Sequence, residues 1–156
     1  MKKAVLLSIL MIFMLFSLTS CKVKKYSQIE DVEYKYILSK SNLSATSSYY
    51  VLVYRNGCSV CKELEPLVCE YANIVKQNPS IDKIYVLNKS DKKINGGISA
   101  ENGATTNKGL GATNYNDIKL ATAPVLLKIK SGKVVALYYT KTEIKAQLNN
   151  LIANYK

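Results

Sequence analysis

Cys58 and Cys61 stand three positions apart, directly after an apolar run that breaks at Asn56-Gly57. Val51-Leu52-Val53-Tyr54 reads as a strand and the residues after Ser59 read as a helix, so the pair falls at a helix N-terminus. Unpaired backbone N–H groups and the positive end of the helix dipole stabilise negative charge there. Thiolate is the reactive form of cysteine, and this placement lowers a thiol pKa towards neutrality. The second thiol lies one turn on, on the same face, where it can close a disulfide with the first. Cys58 is therefore the candidate nucleophile and Cys61 the resolving thiol. Arg55 and Lys62 favour the thiolate; Glu63 and Glu65 oppose it, although both suit a helix N-terminus.

Composition narrows the alternatives. The chain has no histidine, which removes Ser-His-Asp and Cys-His mechanisms and zinc sites that need imidazole. A soft-metal carrier would hold an ion such as Cu(I) on Cys58 and Cys61, but methionine occurs only in the first segment and further ligands are few. A purely structural disulfide is the bland alternative, and a ring this short is a poor entropic clamp. Cys69 follows Cys61 on the same helix between the apolar positions, so it is expected surface-facing or partly buried, an incidental free thiol, with an intermolecular or regulatory disulfide as the alternative. The net charge of +11 comes from scattered lysines without the aromatic interleaving that grips nucleic acid.

The elements that must position the pair can be read in order. Residues 1–20 carry Lys2-Lys3, an apolar run over 4–18 and then Thr19-Ser20, the form of a secretory signal and too short to span a bilayer. Leu18-Thr19-Ser20-Cys21 resembles the bacterial lipobox, which implies lipidation of Cys21 and an anchor on the extracytoplasmic face of the cell membrane. Residues 21–27 then form a short basic tether, and 28–156 the single domain that this length allows. Ser27 and Glu30 have capping-box spacing, and Ile29, Val32 and Tyr36 recur at helical intervals, predicting a helix over about 28–38. A Ser/Asn/Thr loop covers 39–48, and strands are expected at 49–54 and 81–87. The helix between those strands runs from about Ser59 to just before Pro79. It carries Leu64, Leu67, Val68, Tyr71, Ile74 and Val75 inward and Pro66 in its interior. Residues 89–116 are polar and glycine-dotted without periodicity, and read as a mobile surface insertion. A hairpin over 125–139 turns at Ser131-Gly132, and an amphipathic helix capped near Thr140 or Thr142 closes the chain.

Strand, Cys-x-x-Cys, helix, strand, proline, hairpin and helix together resemble the thioredoxin superfamily over 49–156. Pro66, five residues after Cys61, matches the proline inside that family's active-site helix. Ala123-Pro124 matches its cis-proline dipeptide, and the spacing from Pro124 to the hairpin glycine Gly132 is kept. The resemblance implies an α/β thioredoxin fold, a mixed central sheet flanked by helices, with the polar insertion before the cis-proline. It implies a Cys58–Cys61 redox pair acting on protein thiols or disulfides without a cofactor or metal. It also implies that Ala123 and Pro124 lie beside the pair, where an extended substrate chain pairs with the backbone.

Three departures separate the chain from ordinary thioredoxins. Gly57 stands where tryptophan is usual, Ser59-Val60 replaces Gly-Pro, and Leu52 occupies the position of a buried aspartate. Ser59-Val60 leaves the direction of electron flow open. A reductase outside the cell needs a membrane redox partner as donor, and an oxidase needs an acceptor. A redox-silent member that binds a partner through the insertion is the remaining reading, against which the intact Cys-x-x-Cys argues.

Overall fold

The computed structural model describes residues 22–39, 48–91, 97–99 and 105–155. The signal segment, Cys21, most of the Ser/Asn/Thr loop and the insertion residues 92–96 and 100–104 lie outside them.

The apolar run before the cysteines is the middle of a four-stranded sheet. Strand β1 (Ser48–Tyr54) has β2 (Lys83–Asn88) on one side and β3 (Val125–Lys130) on the other, with β4 (Lys133–Tyr138) outermost, in the order β2-β1-β3-β4. Between β1 and β2 the chain crosses over through helix α1 (Ser59–Gln77), and the two strands are parallel, as such a crossover requires. Strand β3 runs antiparallel to both β1 and β4. The β3–β4 connection is the two-residue turn Ser131-Gly132, with φ of 51° and 72°, the left-handed pair that matches the twist of a hairpin. Helix α2 (Lys141–Ala153) follows, its N-terminus capped reciprocally: Thr140 accepts from the Glu143 N–H, and the Glu143 carboxylate accepts from Thr140 N–H at 3.1 Å. This is the thioredoxin fold that the sequence pattern implies.

Both faces of β1 are buried, which is why its sequence is almost continuously apolar. Tyr50 and Leu52 point to one side, where Ile84, Val86 and Leu126 join Leu64, Val68 and Tyr71 of α1 and Ile144, Leu148 and Ile152 of α2. Tyr49, Val51 and Val53 point to the other, with Tyr85, Leu87, Leu127 and Ile129. No regular helix of the described residues covers this second face. It is closed by Val32, Tyr34, Ile37 and Leu38 from the N-terminal segment, by Ile98 and Ala112 from the insertion, and by Ile118 and Leu120 just after it. The insertion is therefore, in its described parts, a structural layer and not the mobile surface loop expected of its composition. Its Ile98 is fully buried and Ala112 is buried, Ile98 C=O accepts from the N–H of Leu120 beyond it at 2.7 Å, and residues 111 and 112 exchange backbone hydrogen bonds with 134.

The helix expected over 28–38 is absent. Two single 3₁₀ turns stand there, Tyr26–Gln28 and Tyr34–Tyr36, and between them the backbone pairs with the outer edge of β2. Val32 N–H donates to Val86 C=O, and Val86 N–H to Glu30 C=O. Ile29 goes into the core under the helices and Val32 into the opposite one, a division that no one-faced helix can make. Covering an otherwise bare sheet edge outweighs weak helical periodicity. Ser27 and Glu30 form no box; Gln28 instead accepts the N–H groups of Lys24 and Lys25.

Within the short basic tether, Val23 to Tyr26 are fixed against α1. Val23 and Tyr26 are buried, and the Asn73 side chain both accepts the Val23 N–H (2.8 Å) and donates to the Val23 carbonyl (3.0 Å).

Candidate redox site

The register decides where the chemistry falls. Tyr54 lies opposite Asn88 in the parallel pair and Val53 opposite Val125 in the antiparallel one. The end of β1, the end of β2 and the start of β3 therefore meet at one edge of the sheet. From that edge the chain passes through Gly57, with φ of +71°, into Cys58 and α1.

Cys58 and Cys61 form a disulfide with Cα atoms 5.2 Å apart, within the range that such a bond spans without moving the backbone. Cys58 is the N-cap of α1, and its sulfur accepts the Cys61 N–H at 3.1 Å. A cap is usually a side-chain oxygen satisfying an orphan donor of the first turn; here a sulfur does it. Reduction of the disulfide would leave Cys58 Sγ beside that donor at the positive end of the dipole, so the geometry stabilises a Cys58 thiolate. The two sulfurs differ in access, since Cys58 is half-buried while Cys61 is only 2% exposed.

The Ala123–Pro124 peptide bond is cis, and the Ala123 carbonyl oxygen is 3.6 Å from Cys58 Sγ. Ala123 is half-exposed and Pro124 buried. The four site residues expected from sequence are thus brought together, and Cys21 lies outside the described residues. The two carboxylates expected to oppose the thiolate are engaged elsewhere. Glu63 is paired with Lys141 of α2, which holds its carboxyl below the usual range, and Glu65 accepts the Tyr26 N–H at 2.8 Å.

Cys69 is a correction. It is 3% exposed, not surface-facing, and burial followed by the nearby Glu65 charge pushes its thiol up to about 11. Helical drift past the apolar stripe would have exposed it, had the 22–26 segment not folded over that side of α1.

Sequence reasoning missed a set of supporting residues. Tyr26, assigned to the tether, donates its hydroxyl to the Cys61 carbonyl at 2.6 Å and stacks its ring 4.7 Å from that of Tyr54. Asn88, Lys89 and Ser90, assigned to the edge of the insertion, hold the loop that delivers Cys58. Ser90 Oγ accepts the Asn56 N–H at 2.9 Å, Asn88 donates to the Asn56 side chain at 3.1 Å, and Lys89 N–H donates to Tyr54 C=O at 2.7 Å. The Lys89 ammonium donates to the Leu120 carbonyl, three residues before Ala123, and so links the Cys58 loop to the cis-proline loop. Its pKa is lowered by burial and by the Arg55 charge. Asn107 pins the same loop from the insertion, donating to Thr122 Oγ1 at 2.9 Å and accepting Thr122 N–H at 3.2 Å. A signal for the Asn88–Ser90 group did exist: polar residues directly after a strand parallel to β1 must lie beside the end of β1.

No family model matches the sequence, and no curated protein matches it. Solved structures with a similar arrangement include thioredoxin f2 of Chlamydomonas reinhardtii, 14% identical, covering 78% of this chain and 94% of that one with a TM-score of 0.48. The short form of thioredoxin f from spinach chloroplast is 13% identical, covering 88% and 100%, with a TM-score of 0.48. Mitochondrial thioredoxin 3 of Saccharomyces cerevisiae in its oxidised form is 12% identical, covering 80% and 97%, with a TM-score of 0.46. Likenesses of this size carry nothing about activity, and the argument for chemistry rests on the geometry of this chain.

Proposed function

We propose that this chain is a thiol–disulfide oxidoreductase that works from the extracytoplasmic face of a cell membrane, tethered by lipid on Cys21. The observation that supports the chemistry best is the Cys58 sulfur acting as the N-cap of α1 while bonded to Cys61. In the reducing direction the Cys58 thiolate attacks one sulfur of a substrate protein disulfide, forming a mixed disulfide and releasing the other substrate sulfur as a thiolate. Cys61 then gives up its proton and attacks Cys58 Sγ. The internal disulfide closes and the second substrate sulfur leaves, so that two electrons have passed to the substrate. Oxidation of a substrate dithiol is the same sequence reversed. A membrane redox partner would reset the pair after each turnover.

The half-exposed Ala123 beside Cys58 supports a place for an extended substrate chain along the cis-proline loop. The lipobox-like Leu18-Thr19-Ser20-Cys21 supports the anchor. The test is equilibration of the oxidised protein with a reduced dithiol protein, followed by titration of free thiols. Two thiols should appear on this chain for each substrate disulfide formed, at a defined reduction potential. A Cys58–Cys61 pair that stays oxidised against every dithiol tried would leave it a structural bond. Cys21→Ala should release the protein from the membrane fraction without altering the thiol titration.

A further inference from the structure

Only Lys22 separates Cys21 from Val23, whose backbone is clasped on both its N–H and its carbonyl by Asn73. A chain of that length reaches at most about 7 Å. A lipid on Cys21 would therefore enter the bilayer next to α1, with no linker to swing on. The surface around this point is basic and exposed. A shallow hollow on one side of Val23 is lined by Lys22, Lys24, Glu70 and Tyr155, and one on the other side by Lys76, Lys83 and Glu30. The four lysines are exposed, and Tyr155, 46% exposed, puts an amphipathic ring at the rim.

We propose that this face, centred on Val23 and carrying Lys22, Lys24, Lys76 and Lys83, is a membrane-seating surface that lies on anionic lipid headgroups. Lysine ammonium groups near a negatively charged bilayer surface are attracted within a Debye length, and the lipid anchor brings them there. The proposal rests on the lipid-anchored reading above. It adds an orientation to it. Residues 23–26 run along α1 from Asn73 back to Cys61, where Tyr26 meets the Cys61 carbonyl. From Asn73 to Cys58 the helix rises about 20 Å. With α1 standing off the bilayer, the seated domain presents its disulfide on the end of α1 away from the clasp, to folded domains off the membrane and not to thiols within it.

Lysine footprinting tests this. The lipidated protein is placed on phosphatidylcholine vesicles with or without phosphatidylglycerol, acylated briefly with an activated ester, and mapped by mass. On the anionic vesicles Lys22, Lys24, Lys76 and Lys83 should react about fivefold more slowly, the equivalent of ~1 kcal/mol of headgroup contact per lysine. Lys62, at the cysteine end of α1, and Lys108, on the insertion, should react as before, and high salt should erase the difference. Asn73→Ala should leave the protein on the vesicles but spread the protection over all lysines. Uniform protection in the unaltered protein, or none at the four lysines, would overturn the proposal. To keep the anchor separate, residues 1–21 are replaced by a hexahistidine tag held on nickel-chelating lipid. The same footprint there, with no lipid mass on Cys21 in the native chain, would retain the seating face and remove the lipid anchor. A lipid mass on Cys21 with no such footprint would do the reverse.

Discussion

At Cys58 a single sulfur serves as helix cap, disulfide partner and neighbour of the Ala123 carbonyl. These roles assign the two thiols different work. Cys61→Ser, mixed with a protein disulfide, should accumulate a mixed disulfide at Cys58, because the resolving thiol is gone. Cys58→Ser should accumulate little, since Cys61 is buried and lies inside the helix, not at its cap. Mass mapping of the adducts decides, and equal trapping at both positions would mean that the helix terminus does not select the nucleophile. Cys69 supplies a separate, pH-dependent test. Its thiol is held up to about 11 in the folded chain, above the 9.0 of an ordinary cysteine, so the unfolded state loses its proton first as pH rises. Stability is thus unaffected below pH 9.0 and falls between 9.0 and about 11, by at most ~1.4 kcal/mol per pH unit. Cys69→Ala should remove the part of the alkaline loss that begins near pH 9, as denaturant midpoints across that range will show. An unchanged alkaline limb would place the loss elsewhere.

Elements were legible in proportion to how strongly their own residues dictate them. β1, α1, the hairpin and α2 each carry continuous or periodic apolar side chains and local stop signals, and their observed limits lie within two residues of those read from sequence, the start of β2 at Lys83 included. The 28–38 segment failed because its structure is set by a partner, the edge of β2, that is distant in sequence. The same non-locality hid Tyr26 and Lys89. Lys89 is the sharper case, since its backbone N–H holds the end of β1 before Cys58 while its side chain holds the loop before Pro124. Lys89→Met keeps the aliphatic stem but leaves the Leu120 carbonyl without that donor, a loss of about 1–2 kcal/mol. Thermal unfolding should show it. Amide exchange at 121–123 should quicken and the reduction potential of the pair should move, with both restored in part by Lys89→Arg. If Lys89→Met lowers stability while leaving exchange and potential unchanged, the lysine is only a structural contact.

At the scale of the molecule, one face of the sheet carries α1 and α2, and among the described residues the other is closed by irregular chain. That second layer was illegible because polar, glycine-rich composition predicts solvent exposure, while a few apolar side chains set among it do the covering. Ile98, Ile118 and Leu120 supply buried surface, and Tyr34 ties the layer together by donating to the Tyr115 carbonyl while its ring sits so close to Gly97 that a Cβ there would meet it. Because Asn107 and Leu120 also hold the cis-proline loop, the layer is coupled to the redox site. Two substitutions separate its roles. Ile98→Ala opens a cavity under the sheet and should cost about 2–5 kcal/mol, the range for deleting a buried isoleucine side chain. A mobile surface loop would lose next to nothing. Asn107→Ala removes only the Thr122 contacts, so its unfolding midpoint should move by about 1 kcal/mol or less. Its Thr122 amide should nevertheless exchange faster, and its mixed-disulfide formation at Cys58 should slow. Denaturant unfolding of both variants, beside the trapping assay for the second, gives the decision. If Ile98→Ala unfolds at the unaltered midpoint, the insertion is no part of the folded unit. If Asn107→Ala traps substrate at the original rate, the insertion supports the sheet without reaching the chemistry.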